Sequence, residues 1–179
     1  MGTEGKRDEQ IRTIVCDTGP ILHLKEAKLL DLLQLAGKVY IPEMVNSEMN
    51  NLDPLWKKEK PEWISTKHLL PDEAREASSL FLSGLLDFGE AEAIILAKRL
   101  RPEWFLTDDV AARIMAKSLG MEVHGSLGVV LWSAAVGRLD YSQSKKAVKR
   151  LSDTSLWISK GILLEAQNAL DAIFYGSLT

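Results

Sequence analysis

Thr13-Ile14-Val15-Cys16-Asp17-Thr18-Gly19-Pro20 sets the frame for the rest of the chain. Thr13 to Cys16 is a short, β-branched run with no polar break, the pattern of a buried strand. It stops abruptly at Asp-Thr-Gly-Pro, a turn sequence, and Pro20 is acceptable in the first turn of a helix. A buried strand that feeds directly into a helix is the opening of a βαβ unit, and it leaves a carboxylate, Asp17, at the strand's carboxyl end.

The alternation continues outward from this stretch. Ile21 to Ala36 has a helical pattern, broken or bent near Glu26-Ala27-Lys28. Lys38-Val39-Tyr40-Ile41 is a second short strand, and Pro42 opens a helix that reaches about Asn51. Residues 53–62 are charged and carry Pro54 and Pro61, so they read as a loop or irregular helix. Trp63 to Lys67 is an edge strand. Asp72 to Leu86 and Asp87 to Leu100 are helices, Trp104 to Thr107 a strand, and Val110 to Leu119 a helix. Met121 to His124 is a short strand, followed by helices over Leu127–Val136, Tyr141–Leu151 and Ile158–Tyr175. Strands that alternate with helices predict an α/β fold. The expected architecture is a three-layer α/β/α sandwich around a mostly parallel sheet of four or five strands. Residues 1–10, charged and glycine-containing, read as a flexible arm. Residues 11–137 form the main domain, and 138–179 are C-terminal helices that pack on it or form an interface.

Bulk properties narrow the function classes. The 179 residues suit one domain, and 46% hydrophobic residues supply a real core. A net charge of −3 excludes a generally basic nucleic-acid binder, so any nucleic acid must be met by a local patch or through metal ions. The single cysteine, Cys16, permits no internal disulfide and suits a reducing cytoplasm. The first ten residues have no apolar signal region, and no apolar run approaches the ~18 residues of a membrane span. The expectation is a cytoplasmic protein that makes no membrane contact.

The acids carry the chemistry. Asp17 ends the first strand, and Asp108 and Asp109 follow the strand Trp104–Thr107. Glu48 shares a helix face with Met44, Val45 and Leu52, where a carboxylate is costly unless something compensates it. Glu90 shares a face with Ile94 and Ala97 on a helix that is apolar nearly all round, whereas Glu92 faces elsewhere. Each acid also has a plain structural reading. Glu48 sits at the edge of its apolar face. Asp87 and Glu90 have the spacing of a capping box, and Asp108 or Asp109 is placed to cap the next helix, with Arg113 four residues beyond Asp109. Clustered acids repel one another unless cations neutralise them. Magnesium takes hard oxygen ligands, and paired ions promote in-line displacement at a phosphodiester without a Ser, Cys or His nucleophile.

Four segments in order resemble the PIN-domain family: Asp17 to Pro20, Ile41 to Glu48, Leu86 to Ile94, and Leu106 to Asp109. The tail from Met121 to Leu131 is similar to a prokaryotic branch of that family, and the likeness spans roughly residues 12–165. It implies a metal-dependent endoribonuclease that cuts RNA, single-stranded by expectation, with Mg²⁺ or Mn²⁺. Carried over position by position, the catalytic metal ligands fall on Asp17, Glu48, Glu90 and Asp109. Many relatives carry Asp where Glu90 stands, and Asp108 is an alternative fourth ligand. Thr18 and Thr107 are placed to orient waters or carboxylates, and Lys98 and Arg99 to touch the RNA backbone. The resemblance further implies a toxin similar to the virulence-associated-protein-C type, with an antitoxin partner and a homodimeric state. The rival expectation is a catalytically silent PIN fold that serves protein contacts. A phosphoaspartyl phosphatase wants Asp-x-Asp after the first strand, and Asp17-Thr18-Gly19 departs from that.

Other features read as structural. Lys145, Lys146, Lys149 and Arg150 form a basic stripe at helical spacing, a solvated face rather than a phosphate track. His23, His68 and His124 have no metal-ligand spacing. Trp56, Trp63, Trp104, Trp132 and Trp157 lie in apolar neighbourhoods and are expected to pack in the core or an interface rather than stack on bases. Cys16, in a buried strand, is expected to be inert.

Overall fold

A computed structural model describes residues 11–176; the arm expected over residues 1–10 lies outside the described residues. The opening strand, β1, is Arg12–Cys16. It is followed by α1 (Thr18–Glu26) and α2 (Asp31–Ala36), then β2 (Gly37–Pro42) and α3 (Glu43–Leu52). The short α4 (Trp56–Glu59) fills the proline-flanked stretch, and β3 (Ile64–Lys67) follows it. Next come α5 (Pro71–Leu82), α6 (Phe88–Leu100), β4 (Trp104–Leu106), α7 (Val110–Ser118) and β5 (Val123–His124). The chain closes with α8 (Ser126–Ala135), α9 (Tyr141–Ser152) and α10 (Lys160–Tyr175).

The break or bend expected near Lys28 is a full break between α1 and α2. Lys28 adopts φ +56°, a left-handed conformation that a helix cannot continue through. The helix expected to run to Leu86 stops at Leu82, because Gly84 takes φ +73° and Asp87 begins a new cap.

The five strands pair in the order β3-β2-β1-β4-β5, every pairing parallel. From β1 the chain builds outward through β2 to β3, then crosses to place β4 on the other side of β1. The β1–β4 border is therefore the switch point, where an open parallel sheet gathers a site beyond its carboxyl edge.

Pleating sends alternate residues to opposite layers. Ile14, Cys16, Val39, Ile41, Trp104 and Leu106 pack with α1, α2, α3, α8 and α9, while Val15 and Phe105 pack with α5, α6 and α7. This is the expected three-layer α/β/α sandwich. The third layer explains α6, whose Ala91 and Ala93–Ala97 are all buried. Beyond residue 137, Ala147 and Leu151 of α9 are fully buried in the first layer, and α10 buries Ala166 and Leu170.

Candidate metal and nucleic-acid site

The carboxyl edge of the sheet opens into a cleft of about 540 Å³. Its walls include Asp17 after β1, Glu48 on α3, Asp87 and Glu90 at the start of α6, and Asp108 and Asp109 after β4. Residues 17, 48, 90 and 109 are far apart in sequence, and the switch-point topology brings them to one hollow.

Each acid is held by local structure. Asp17 caps α1: its Oδ1 accepts from the Thr18 N–H at 2.6 Å. Its Oδ2 accepts from the Thr107 hydroxyl at 2.9 Å, and that hydroxyl in turn accepts from the Asp109 N–H at 3.1 Å. Thr107 is fully buried, so one side chain fixes the two strand-end aspartates relative to each other. Glu48 is half-buried: it accepts from the Thr18 hydroxyl and, through Oε1, from the Gly89 N–H at 3.1 Å. Glycine at 89 lets the carboxylate approach this closely, since a Cβ there would lie 2.5 Å from Glu48 Oε1 and push it away. Glu90 and Asp87 form the capping box, with bonds of 2.9 and 2.8 Å between each side chain and the other's N–H. Asp109 caps α7 by accepting from Ala112 N–H at 2.8 Å and is otherwise exposed. The capping readings are therefore real. They coexist with the cleft because the positive N-terminal ends of α1, α6 and α7 converge on it and partly offset the clustered negative charge.

That offset is incomplete. Burial, reinforced by the charges of Glu90 and Asp87, pushes the Asp17 carboxyl up to about 8 against its hydrogen bonds from Thr18 and Thr107. Burial, with Asp87, Asp109 and Glu48 nearby, pushes Glu90 to about 7. Glu48 is raised as well, chiefly by burial. Acids in this state take up protons at neutral pH unless a cation replaces them.

Asp108 differs from its neighbour. Its Oδ1 accepts from the Ser126 N–H at 2.7 Å. Its Oδ2 accepts from the Ser126 hydroxyl at 2.5 Å and lies 2.7 Å from His23 Nδ1. Both oxygens tie β4 to α8 and α1. Arg113, four residues beyond Asp109, bonds the Thr107 carbonyl at 3.0 Å instead of that aspartate.

Lys98 and Arg99 do not join the cleft wall. They occupy the far end of α6, where Lys98 pairs with Glu76, and Arg99 with Glu73 at 2.8 Å and the His68 carbonyl at 2.9 Å. Eight residues of helix separate Glu90 from Lys98, or about 12 Å. Glu92 caps α3 by accepting from the Met44 N–H at 3.1 Å.

Three cleft residues escaped sequence reasoning. His23 lines it through Asp108, a pairing 85 residues apart that no spacing rule reveals. Asp87 lines it beside its role as a cap. Trp157, expected to be packed, is 83% exposed at the cleft rim. Trp56 and Trp104 are buried as expected.

Among the described residues, no three His, Cys, Asp or Glu side chains converge tightly enough to hold a metal ion in this arrangement. The donor set fits one nonetheless: hard carboxylate oxygens, held by hydroxyls and helix ends, two of them raised to about 7 and 8 by burial and mutual repulsion. A family model described as a PIN domain matches residues 13–171, which takes in every strand and nearly all of the helical tail. Neither a curated protein nor a solved structure gives a significant match.

Proposed function

The chain belongs to the PIN-domain family, whose members are generally nucleases that use divalent metal ions, and from that premise we propose a Mg²⁺- or Mn²⁺-dependent endoribonuclease. One observation carries the proposal: Asp17, Glu48, Glu90 and Asp109, from four different elements, line a single cleft at the switch point of the sheet.

In this reading those four carboxylates hold the ion or ions, with Asp108 serving as a strut. A bound divalent ion supplies water activation and stabilises charge that develops on the phosphodiester. The chain's own part is positioning. The Thr107 hydroxyl bonds Asp17 and the backbone of Asp109 together, and Thr18 and Gly89 hold Glu48 at the wall. Preorganised groups of this kind need no rearrangement when charge develops.

Expression as the toxin of a toxin–antitoxin pair, active as a cytoplasmic homodimer, extends this proposal. Support comes from the family likeness and from exposed apolar side chains on α10, where Leu164 and Tyr175 are more than half exposed. Among the described residues, no helix is long and apolar enough to cross a membrane.

The test is cleavage of labelled single-stranded RNA by the unaltered protein and Asp17→Asn, with Mn²⁺, Mg²⁺ or EDTA. Cleavage by the unaltered protein alone, abolished by EDTA, is the expected result. Equal cleavage by both proteins refutes the site. Absence of cleavage and of millimolar metal binding in calorimetry favours the silent interaction module.

A further inference from the structure

The loop between α9 and α10 presents an aromatic ring to water beside the acidic cleft. Trp157 is 83% exposed, and with Ser155 and Leu156 it belongs to the cleft wall. A single exposed apolar side chain is ordinary; what distinguishes this one is an indole, with a flat face and a polar N–H, on the wall of the acidic cleft.

The loop is anchored on both sides of the ring. The Ser155 N–H and hydroxyl both donate to Glu26 Oε2, each at 2.8 Å. Leu156 N–H donates to the Thr154 hydroxyl at 3.2 Å, and that hydroxyl donates to the Leu151 carbonyl at 2.7 Å. Leu156 and Ile158 are partly buried against the first-layer core, so their burial forces the residue between them outward. Trp157 is thus an exposed ring on a fixed base, which loses little freedom when it is covered.

The surroundings specify what covers it. A second hollow shares Ser155 with the cleft and is walled by Lys28 and Arg150, both exposed and in no ion pair among the described residues, and by Glu26 and Asp153, which are engaged by Ser155 and by Lys149. The acidic cleft, whose wall carries the indole, and a hollow with two uncommitted cations therefore adjoin at Ser155. A nucleic-acid strand needs those three things in sequence: a metal-capable site for one phosphate, a face for a base, and cations for the next phosphates. In a duplex, stacking on the neighbouring base pairs hides the face that the indole needs, so the strand must be unpaired and unstacked there. With a net charge of −3, the protein has little general attraction for phosphate, which leaves base stacking to supply much of the hold.

We infer that Trp157 is the stacking platform for an unpaired base next to the cleaved phosphate, with Lys28 and Arg150 taking the adjoining backbone. This rests on the nuclease reading of the cleft and names the residues outside the acid cluster that hold the strand.

The experiment measures affinity by anisotropy of a fluorescent 8-mer of mixed-sequence RNA, without added metal and with EDTA. The proteins are the unaltered chain, Trp157→Ala, Trp157→Phe and a Lys28→Gln/Arg150→Gln double variant. Parallel arms use the same RNA as a duplex and single-stranded DNA of equal length. Trp157→Ala is expected to weaken single-strand binding about 5- to 150-fold, the loss of one base–aromatic stack. Phe restores most of it, and duplex affinity does not respond to the ring. The double variant weakens both strands and lessens the salt dependence. Thermal melting controls for folding, which an 83% exposed side chain should leave unchanged. Equal single-strand affinity of Trp157→Ala and the unaltered protein overturns the inference. If RNA cleavage nonetheless persists, the nuclease reading stands without it, and if the unaltered protein neither binds nor cuts RNA, both fall. Equal affinity for single-stranded RNA and DNA keeps the platform and assigns RNA selectivity elsewhere.

Discussion

Two hollows flank the central sheet, one at each end of its strands, and the larger lacks the acidic cluster of the smaller. The hollow at the amino ends, about 680 Å³, is lined by Arg12, Gly37, Lys38, Tyr40, Trp63 and Trp132 among others. Of its cations, Arg12 is already engaged. The Arg12 guanidinium lies 4.2 Å from the centre of the Trp104 ring, and the side chain donates to the Ala36 carbonyl at 3.0 Å. At the carboxyl ends the cleft is smaller, about 540 Å³, but its charges are not matched by cations. Burial lifts Asp17 to about 8 and Glu90 to about 7 there. Of these two, volume favours the amino end. Charge that the fold brings together and leaves without counter-ions favours the carboxyl end as the candidate site.

The sharpest way to break the contrast is Asp17→Asn. The variant should lose about 10²–10³-fold in RNA cleavage, the scale seen when one preorganised electrostatic group is removed. Metal-free melting temperature at neutral pH should change little, because Asp17 already carries a proton there and a neutral isostere takes its place. A drop in both would make Asp17 a structural residue, like those at the opposite end.

Next in size is Thr107→Val. The hydroxyl that joins Asp17 to the Asp109 backbone disappears, while volume is nearly kept. Groups that orient ligands typically cost about 10–100-fold in metal affinity or activity when removed. Titration of Mn²⁺ by calorimetry reads this directly, and unchanged affinity would show that the aspartates hold their positions without the threonine.

The raised acids predict a pH dependence with a definite sign. Asp17 has a folded-state value of about 8, above the ~3.9 of an unfolded aspartate. Between those values the metal-free fold holds a proton that the unfolded chain has released. The stability so contributed is therefore full below about pH 4 and is lost as pH rises toward 8. Metal must displace that proton and the one that Glu90 holds below about 7, so Mn²⁺ affinity should climb at least about tenfold per unit between pH 6 and 7, with proton release visible as buffer-dependent heats. A flat profile would mean that the cleft acids are ionised already.

Much of this was legible in the chain because it is written locally. The strand Thr13–Cys16 and its turn, the alternation with helices, and the Asp87–Glu90 capping box all follow from residues close in sequence. The sheet order places four distant acids at one edge, and their motif order alone anticipated it. What escaped depends on tertiary pairing. His23 meets Asp108 only because α1 and the β4 end share the switch point. Lys98 and Arg99 looked close to Glu90 in sequence, but a helix of 13 residues carries them to α5 and its acids. Trp157 follows Leu156 in an apolar stretch, and only the inward packing of its two neighbours turns it out.

The adjacent aspartates repeat the comparison at close range. Asp108→Ala strips the Ser126 N–H and hydroxyl of their acceptors at the start of α8, and leaves His23 without its partner. Buried donors without acceptors cost about 1–3 kcal/mol, so chemical denaturation should show a clear loss. Cleavage per folded molecule should change far less than in Asp109→Asn. The reverse ranking would exchange their roles and make Asp108 the metal ligand.

The smallest effect belongs to the amino-end hollow. Arg12→Met keeps the aliphatic stem against Trp104 but removes the guanidinium, which also reaches to 5.4 Å from the Trp132 ring. Partly exposed cation–π contacts contribute about 0.5–1 kcal/mol, and the lost bond to Ala36 adds a similar amount. For a domain of this size each kcal/mol corresponds to about 2–4 °C in melting temperature. Cleavage and Mn²⁺ affinity should match the unaltered protein once folding is accounted for, because Arg12 and the acids stand at opposite ends of the same strands. A change in Mn²⁺ affinity as large as that in Thr107→Val would mean that the two ends of β1 are coupled through the strand. The cleft could then no longer be treated as a site assembled at one edge alone.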